Sequence, residues 1–292
     1  MTTLRWVIPI FALFVLGPMG GALVGSLRAK DGSGEVTLLL SSGVLGGLFA
    51  WFGVGVLTLG AGVCGAVLAD RRTGLVSAGL VLAWAAYRAG AMGRVLALEP
   101  GGLILLVVEG VLVVGLVAGV ATALGVVGRE RSLPADRVVH PEAEAGSPAA
   151  RAAAIWKDPS ALVGLGVTAA VCLVMAYLLV RSDMRGQAVL GAVIGAIVGG
   201  AVGGLATSAV SGRRPSVAPL ITGAAFAGAL GPIVAMVMTR DVQSSAITGE
   251  LPGFAWTQPL DWAAAGLLGV PIGVRWASGR IEKQAAEAAA RA

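Results

Sequence analysis

Long apolar runs, each bounded by charges or turn residues, recur along the whole chain, and they constrain it more than any other feature. A helix of about 20 apolar residues crosses the ~30 Å hydrocarbon core of a bilayer. Runs of this kind extend over Trp6–Leu27, Val36–Ala69, Leu75–Leu98, Gly101–Gly128, Ala161–Val180, Gln187–Val210 and Val217–Thr239. A weaker one, Pro259–Trp276, is interrupted by Pro271. The expectation is an all-α, polytopic transmembrane helix bundle of eight spans. Val36–Ala69 carries no charge and is too long for one straight span, so it reads as a single long, tilted helix, preceded by an interfacial turn at Ser41-Ser42. Pro9 and Pro18 in the first run are tolerable where neighbouring helices satisfy the freed carbonyls.

Composition closes the soluble alternative. Only 13% of residues are charged and 57% are hydrophobic, at a mean hydropathy of +0.87, whereas a typical soluble domain is roughly 25% charged. The basic pI of 9.9 and net charge of +5 set orientation in a polytopic chain rather than marking nucleic acid as a partner. With both termini in the cytoplasm, Arg5, Arg71, Arg72, Arg129, Arg131, Arg137, Arg151, Lys157, Arg213, Arg214, Arg275, Arg280, Lys283 and Arg291 fall inside. Fewer fall outside: Arg28, Lys30, Arg94, Arg181, Arg185 and Arg240. That asymmetry favours cytoplasmic termini in a bacterial inner membrane. The first run is longer than the 7–15 residues of a signal-peptide core and is read as a retained span.

The Pro-rich polar segment 129–160 divides the chain into two four-helix membrane halves, 1–128 and 161–279, followed by a cytoplasmic tail, 280–292. Ser147-Pro148 and Asp158-Pro159 are helix starts, a capping side chain followed by proline at the first helical position. A short interfacial helix over Ala149–Trp156 is expected between them. Arg71-Arg72 in the first half answers Arg213-Arg214 in the second, a hint of a four-plus-four repeat that positive-inside topology alone would also produce.

Most chemistries lack residues. Cys64 and Cys172 lie in apolar runs and build neither a disulfide framework nor a zinc site, and His140, the single histidine, sits beside Pro141 in the linker without a second donor. No His-Glu-x-x-His, phosphate-binding loop, paired membrane aspartates or membrane Ser/His pair occurs in the sequence. The reading is therefore no enzyme, no cofactor and no metal.

Two features remain. Gly191, Gly195, Gly199 and Gly203 recur every fourth residue, a smooth stripe suited to close helix packing. Gly43 and Gly47 make a weaker version. Packing within the chain, a homo-oligomer interface, a membrane-protein partner and a pore lining stay open for the stripe. Arg88 and Glu109 are charges inside the spans, where insertion costs some ~2.5–3.5 kcal/mol. They are equidistant from the Glu99-Pro100-Gly101 turn. A hairpin of the third and fourth spans would place them level as an intramembrane charged pair, either a structural bridge or a substrate- or proton-coupling site. Trp6, Trp156 and Trp276 are assigned to one interface belt, Trp256 and Trp262 to the other, and Phe254 and Trp256 in the loop 240–258 to a lid or a docking point. The functional expectation is a transporter or channel for a small solute. The alternative is a non-catalytic accessory subunit of a membrane complex, packing through its glycine-rich helices.

Overall fold

The computed structural model describes residues 4–34, 36–99, 101–127, 147–212 and 215–291. Arg213-Arg214, His140 and most of the linker lie outside them. The chain is a multi-pass membrane protein of all-α architecture, with no strand among the described residues. Among the described residues six helices are long and apolar enough to cross a bilayer, or seven if one bent pair is a single span.

The first span joins α1 (Leu4–Phe11) to α2 (Gly17–Gly25) through a π-helical turn, Ala12–Leu16. Pro18 has no N–H to donate into the preceding turn, and the Gly17 N–H bonds instead to Ala12 O. Then follow α3 (Val44–Leu68), α4 (Arg71–Arg88), α5 (Met92–Leu98) and α6 (Gly102–Val127). The second part comprises α7 (Pro148–Lys157), α8 (Pro159–Leu179), α9 (Arg185–Ser211), α10 (Val217–Met238), α11 (Val242–Thr248) and α12 (Pro259–Arg291). The proline starts hold: the Ser147 hydroxyl accepts from Ala150 N–H and the Asp158 carboxylate from Ser160 N–H at 2.9 Å. Asp70 caps α4 by accepting from Thr73 N–H at 2.8 Å and also pairs with Arg5 at 3.0 Å.

Four expectations need correction. Residues 36–43 are not helical; α3 begins only at Val44, and the preceding segment turns into the bundle, where the Glu109 carboxylate and the backbone of Gly90 and Arg28 bond to its backbone. The third span is two helices, α4 and α5, bent by 51° across Ala89-Gly90-Ala91. The last helix is not apolar enough to count with the spanning six. It runs unbroken through Pro271 to Arg291, and its first turns are buried in the middle of the bundle, where neighbours rather than lipid cover it. Trp256 and Trp262 are 2% and 0% exposed, so they are core residues and not a belt, whereas Trp6 and Trp276 are exposed.

Packing is set by small residues. Helix α9 lies between α8 and α12. A Cβ on Gly199 would sit 3.1 Å from Thr168 O of α8, and one on Gly200 2.8 Å from Val270 O of α12. Such distances leave room for hydrogen alone, which lets backbones meet at the spacing that holds helices together in lipid. Helix α10 closes on α6 in the same way, with Gly110 against Ala229, and α4 on α3, with Gly65 against Gly74. Since successive spans alternate in direction, the segments 26–43, 89–91, 180–184 and 239–258 gather at one end of the bundle. We refer to it as the loop end. The loop 240–258 is not an open lid: it forms α11 and a short 3-10 turn, Gly253–Trp256, whose Phe254 and Trp256 are buried.

Candidate functional site

Glu109 lies on α6, seven residues past Gly102 and so about 10 Å along the helix, and it is fully buried. The structure does not bring it to Arg88. Arg88 ends α4 on an exposed position and lays its stem over α2, where a Cβ on Gly21 would lie 3.1 Å from Arg88 Cγ. A level pair requires one straight third span; the bend after Arg88 removes that register, and Arg88 itself is on an exposed face of α4.

Glu109 holds the non-helical segment instead. Thr37 Oγ1 donates to Glu109 Oε2 at 2.7 Å and Leu39 N–H donates to the same oxygen at 3.0 Å. Backbone at membrane depth must find partners inside the protein, and a helical carboxylate supplies them here. Gly47 makes the approach feasible, since a Cβ there would overlap Leu38 O, and Gly102 gives way to Leu40 in the same manner. Oε1 of Glu109 has no hydrogen-bond partner.

A second carboxylate does comparable work nearby. Asp261, in the first turn of α12, is 2% exposed and receives both Arg185 terminal nitrogens, at 2.7 and 3.0 Å. Gln258 N–H donates to it at 2.8 Å, and the same guanidinium donates to Ala86 O of α4 at 2.6 Å. Arg185 is the first residue of α9. The pair is therefore a bidentate bridge between a buried carboxylate and a partly exposed guanidinium, the strong form of a charge-assisted hydrogen bond.

The helix break joins the two carboxylates. Gly90 N–H donates to Val36 O at 2.8 Å, and Gly90 O accepts from the Gln258 side-chain amide. A continuous buried chain thus runs from Glu109 through Thr37 and Leu39, Val36, Gly90 and Gln258 to Asp261 and Arg185. Three of its polar atoms have no partner: Glu109 Oε1, Gln258 Oε1 and Arg185 Nε. Sequence reading reached Glu109 as a membrane charge and missed Thr37, Gln258, Asp261 and the pairing role of Arg185. Asp261 and Arg185 stand at span ends, where a charge looks solvated.

The glycine stripe is accounted for within the chain. Gly191 packs against Val180, Gly195 against Trp262 and Met175, and Gly199 and Gly203 against Thr168, all from α8, its C-cap and α12. Thr168 Oγ1 also donates to Gly199 O across the interface at 3.2 Å. Ser77, Thr207 and Thr222 bond carbonyls four residues back on their own helices. No group of three metal-ligating side chains occurs among the described residues. Separately, an open cleft of about 480 Å³ at the loop end is lined by Tyr177, Arg240, Asp241 and Glu250, among others.

Comparison with protein families, with characterised proteins and with solved structures gave no match.

Proposed function

We propose that the protein is a membrane transporter for a small solute, with its site where the helix break, the segment 36–43 and the two buried carboxylates meet. The observation that carries this reading is Glu109: a fully buried carboxylate with one unpartnered oxygen, set against non-helical backbone at membrane depth. Interrupted helices beside buried polar groups are where transporters place substrates and coupling ions, at the interface between repeats. A four-plus-four repeat is part of the proposal. Thr73-Gly74-x-x-x-Ala78-Gly79 in α4 recurs as Thr222-Gly223-x-x-x-Ala227-Gly228 in α10. Helix α4 packs on α12 as α10 packs on α6, and the short helices that follow, α5 and α11, touch each other. These pairings support two halves related by an axis along the membrane normal. The proposed orientation keeps both termini in the cytoplasm of a bacterial cell and the loop end outside.

Purification in mild detergent followed by native mass analysis tests the reading. The expected result is a particle made only of this chain that releases a small molecule when denatured. Partner chains in fixed stoichiometry would instead establish the accessory-subunit role.

A further inference from the structure

The two carboxylates differ in one respect that capping does not explain. To satisfy Thr37 and Leu39 an uncharged acceptor would suffice: a glutamine oxygen at position 109 would take the same two hydrogen bonds with no charge to bury. Yet the chain has an acid, and among the described residues no cation is paired with it. The elements packed on α6 are α3, α4, α5, α7, α10 and α12. Helices α3 and α10 contain no charged residue. On α4, Arg71 and Arg72 are at the far end, and Arg88 and Tyr87 are exposed over other surfaces. Arg94 of α5 is exposed, α7 with Arg151 and Lys157 sits at the far end, and on α12 Asp261 is already bridged to Arg185, with Arg275 far down the helix. In the segment before α3, Lys30 pairs with Glu99 at 2.7 Å, while Arg28 donates to Gly25 and Leu27 carbonyls and Asp31 accepts from Ser33. Thr37 and Leu39 both donate to Oε2, the Leu38 amide lies close by, and Oε1 is the oxygen that accepts no hydrogen bond.

We infer that Glu109 Oε1 is the loading point for one positive charge, a proton or an alkali cation, and that loading is the coupling event of the proposed transport cycle. An uncompensated charge at membrane depth is a default marker of such a role. Loading draws negative charge away from Oε2 and weakens its hold on Thr37 and Leu39, so occupancy at α6 is felt by the backbone that leads into α3 and, through Val36 and Gly90, by the helix break.

The inference rests on the transport reading, but its test does not use transport. The purified full-length protein, in detergent and lightly buffered with a pH indicator, is titrated with NaCl, KCl and LiCl, with choline chloride as the ionic-strength control. Thermal unfolding midpoints are recorded from pH 5 to 9. If an alkali ion is the occupant, one of the three salts raises the midpoint and releases about one proton per chain. If the proton alone is, the salts match choline, and the wild type takes up one proton that E109Q does not. In both cases E109Q loses the response. T37V, which keeps the acid but removes one donor to its charged form, shifts the response several-fold in concentration or to higher pH. Should E109Q fold poorly, T37V alone decides. Identical titrations for wild type, E109Q and T37V overturn the inference. Should the chain then still carry solute, the transport reading survives and only the loading point falls.

Discussion

Glu109 and Asp261 occupy comparable places and are treated differently by their surroundings. Each is a buried carboxylate near the loop end of a helix, α6 or α12, and each fastens the chain as it enters another helix, α3 or α9. Asp261 is matched by Arg185 through two short bonds, a Gln258 amide and a relay to Ala86 O. Glu109 meets only neutral donors, on one oxygen. The difference separates a clasp from the loading point proposed above. Removing one partner of a closely paired ion is costly, whereas an intramembrane carboxylate without a counter-charge marks a candidate functional site.

The largest effect expected from breaking this comparison is at the clasp. Asp261→Asn leaves the partly exposed Arg185 without its counter-charge and should cost about 3 kcal/mol of stability, the lower end of the range for buried pairs. Denaturant titration of the purified protein, followed by tryptophan fluorescence, measures it. Replacing both partners, Asp261→Leu with Arg185→Met, should recover most of the loss, because no unpaired charge remains.

At Glu109 the order of two substitutions is the informative quantity. Glu109→Leu strands the Thr37 hydroxyl and the Leu39 N–H and should cost about 2–4 kcal/mol, while Glu109→Gln keeps an acceptor and should cost about 1 kcal/mol. Equal losses would mean that the carboxylate, not the hydrogen bonds, holds the segment.

A third test reaches the segment without touching either acid. Gly47→Ala places a methyl group on Leu38 O and should cost about 1–3 kcal/mol through displaced backbone. Cysteine labelling at Thr37 should rise in that variant, whereas labelling at Gln258 should not. Comparable gains at both sites would show that the bundle loosens as a whole.

How much of this was legible beforehand varied with the physics behind each element. Span positions followed from apolar length, and the starts of α7 and α8 from a capping side chain followed by proline at Pro148 and Pro159. The stripe at Gly191–Gly203 could be read as a packing surface because four-residue spacing is a property of the helix itself. Residues 36–43 could not. An uncharged apolar stretch satisfies the test for a span whether or not it is helical, and the carboxylate that bonds it lies on α6, distant in sequence. The Arg88–Glu109 pairing failed for a related reason, since symmetry about a turn places residues level only if both helices are straight. The Thr-Gly-x-x-x-Ala-Gly match between α4 and α10 is present in the sequence at an offset that the paired arginines do not share.

The central claim is that Glu109 answers to the segment before α3 and not to Arg88. A double-mutant cycle on unfolding free energy tests it most directly, with Glu109→Leu combined in turn with Thr37→Val and with Arg88→Met. The account predicts a coupling of about 1 kcal/mol between Glu109 and Thr37, and additivity within roughly 0.5 kcal/mol for Glu109 with Arg88. Coupling to Arg88 with none to Thr37 would contradict it and restore the intramembrane charged pair.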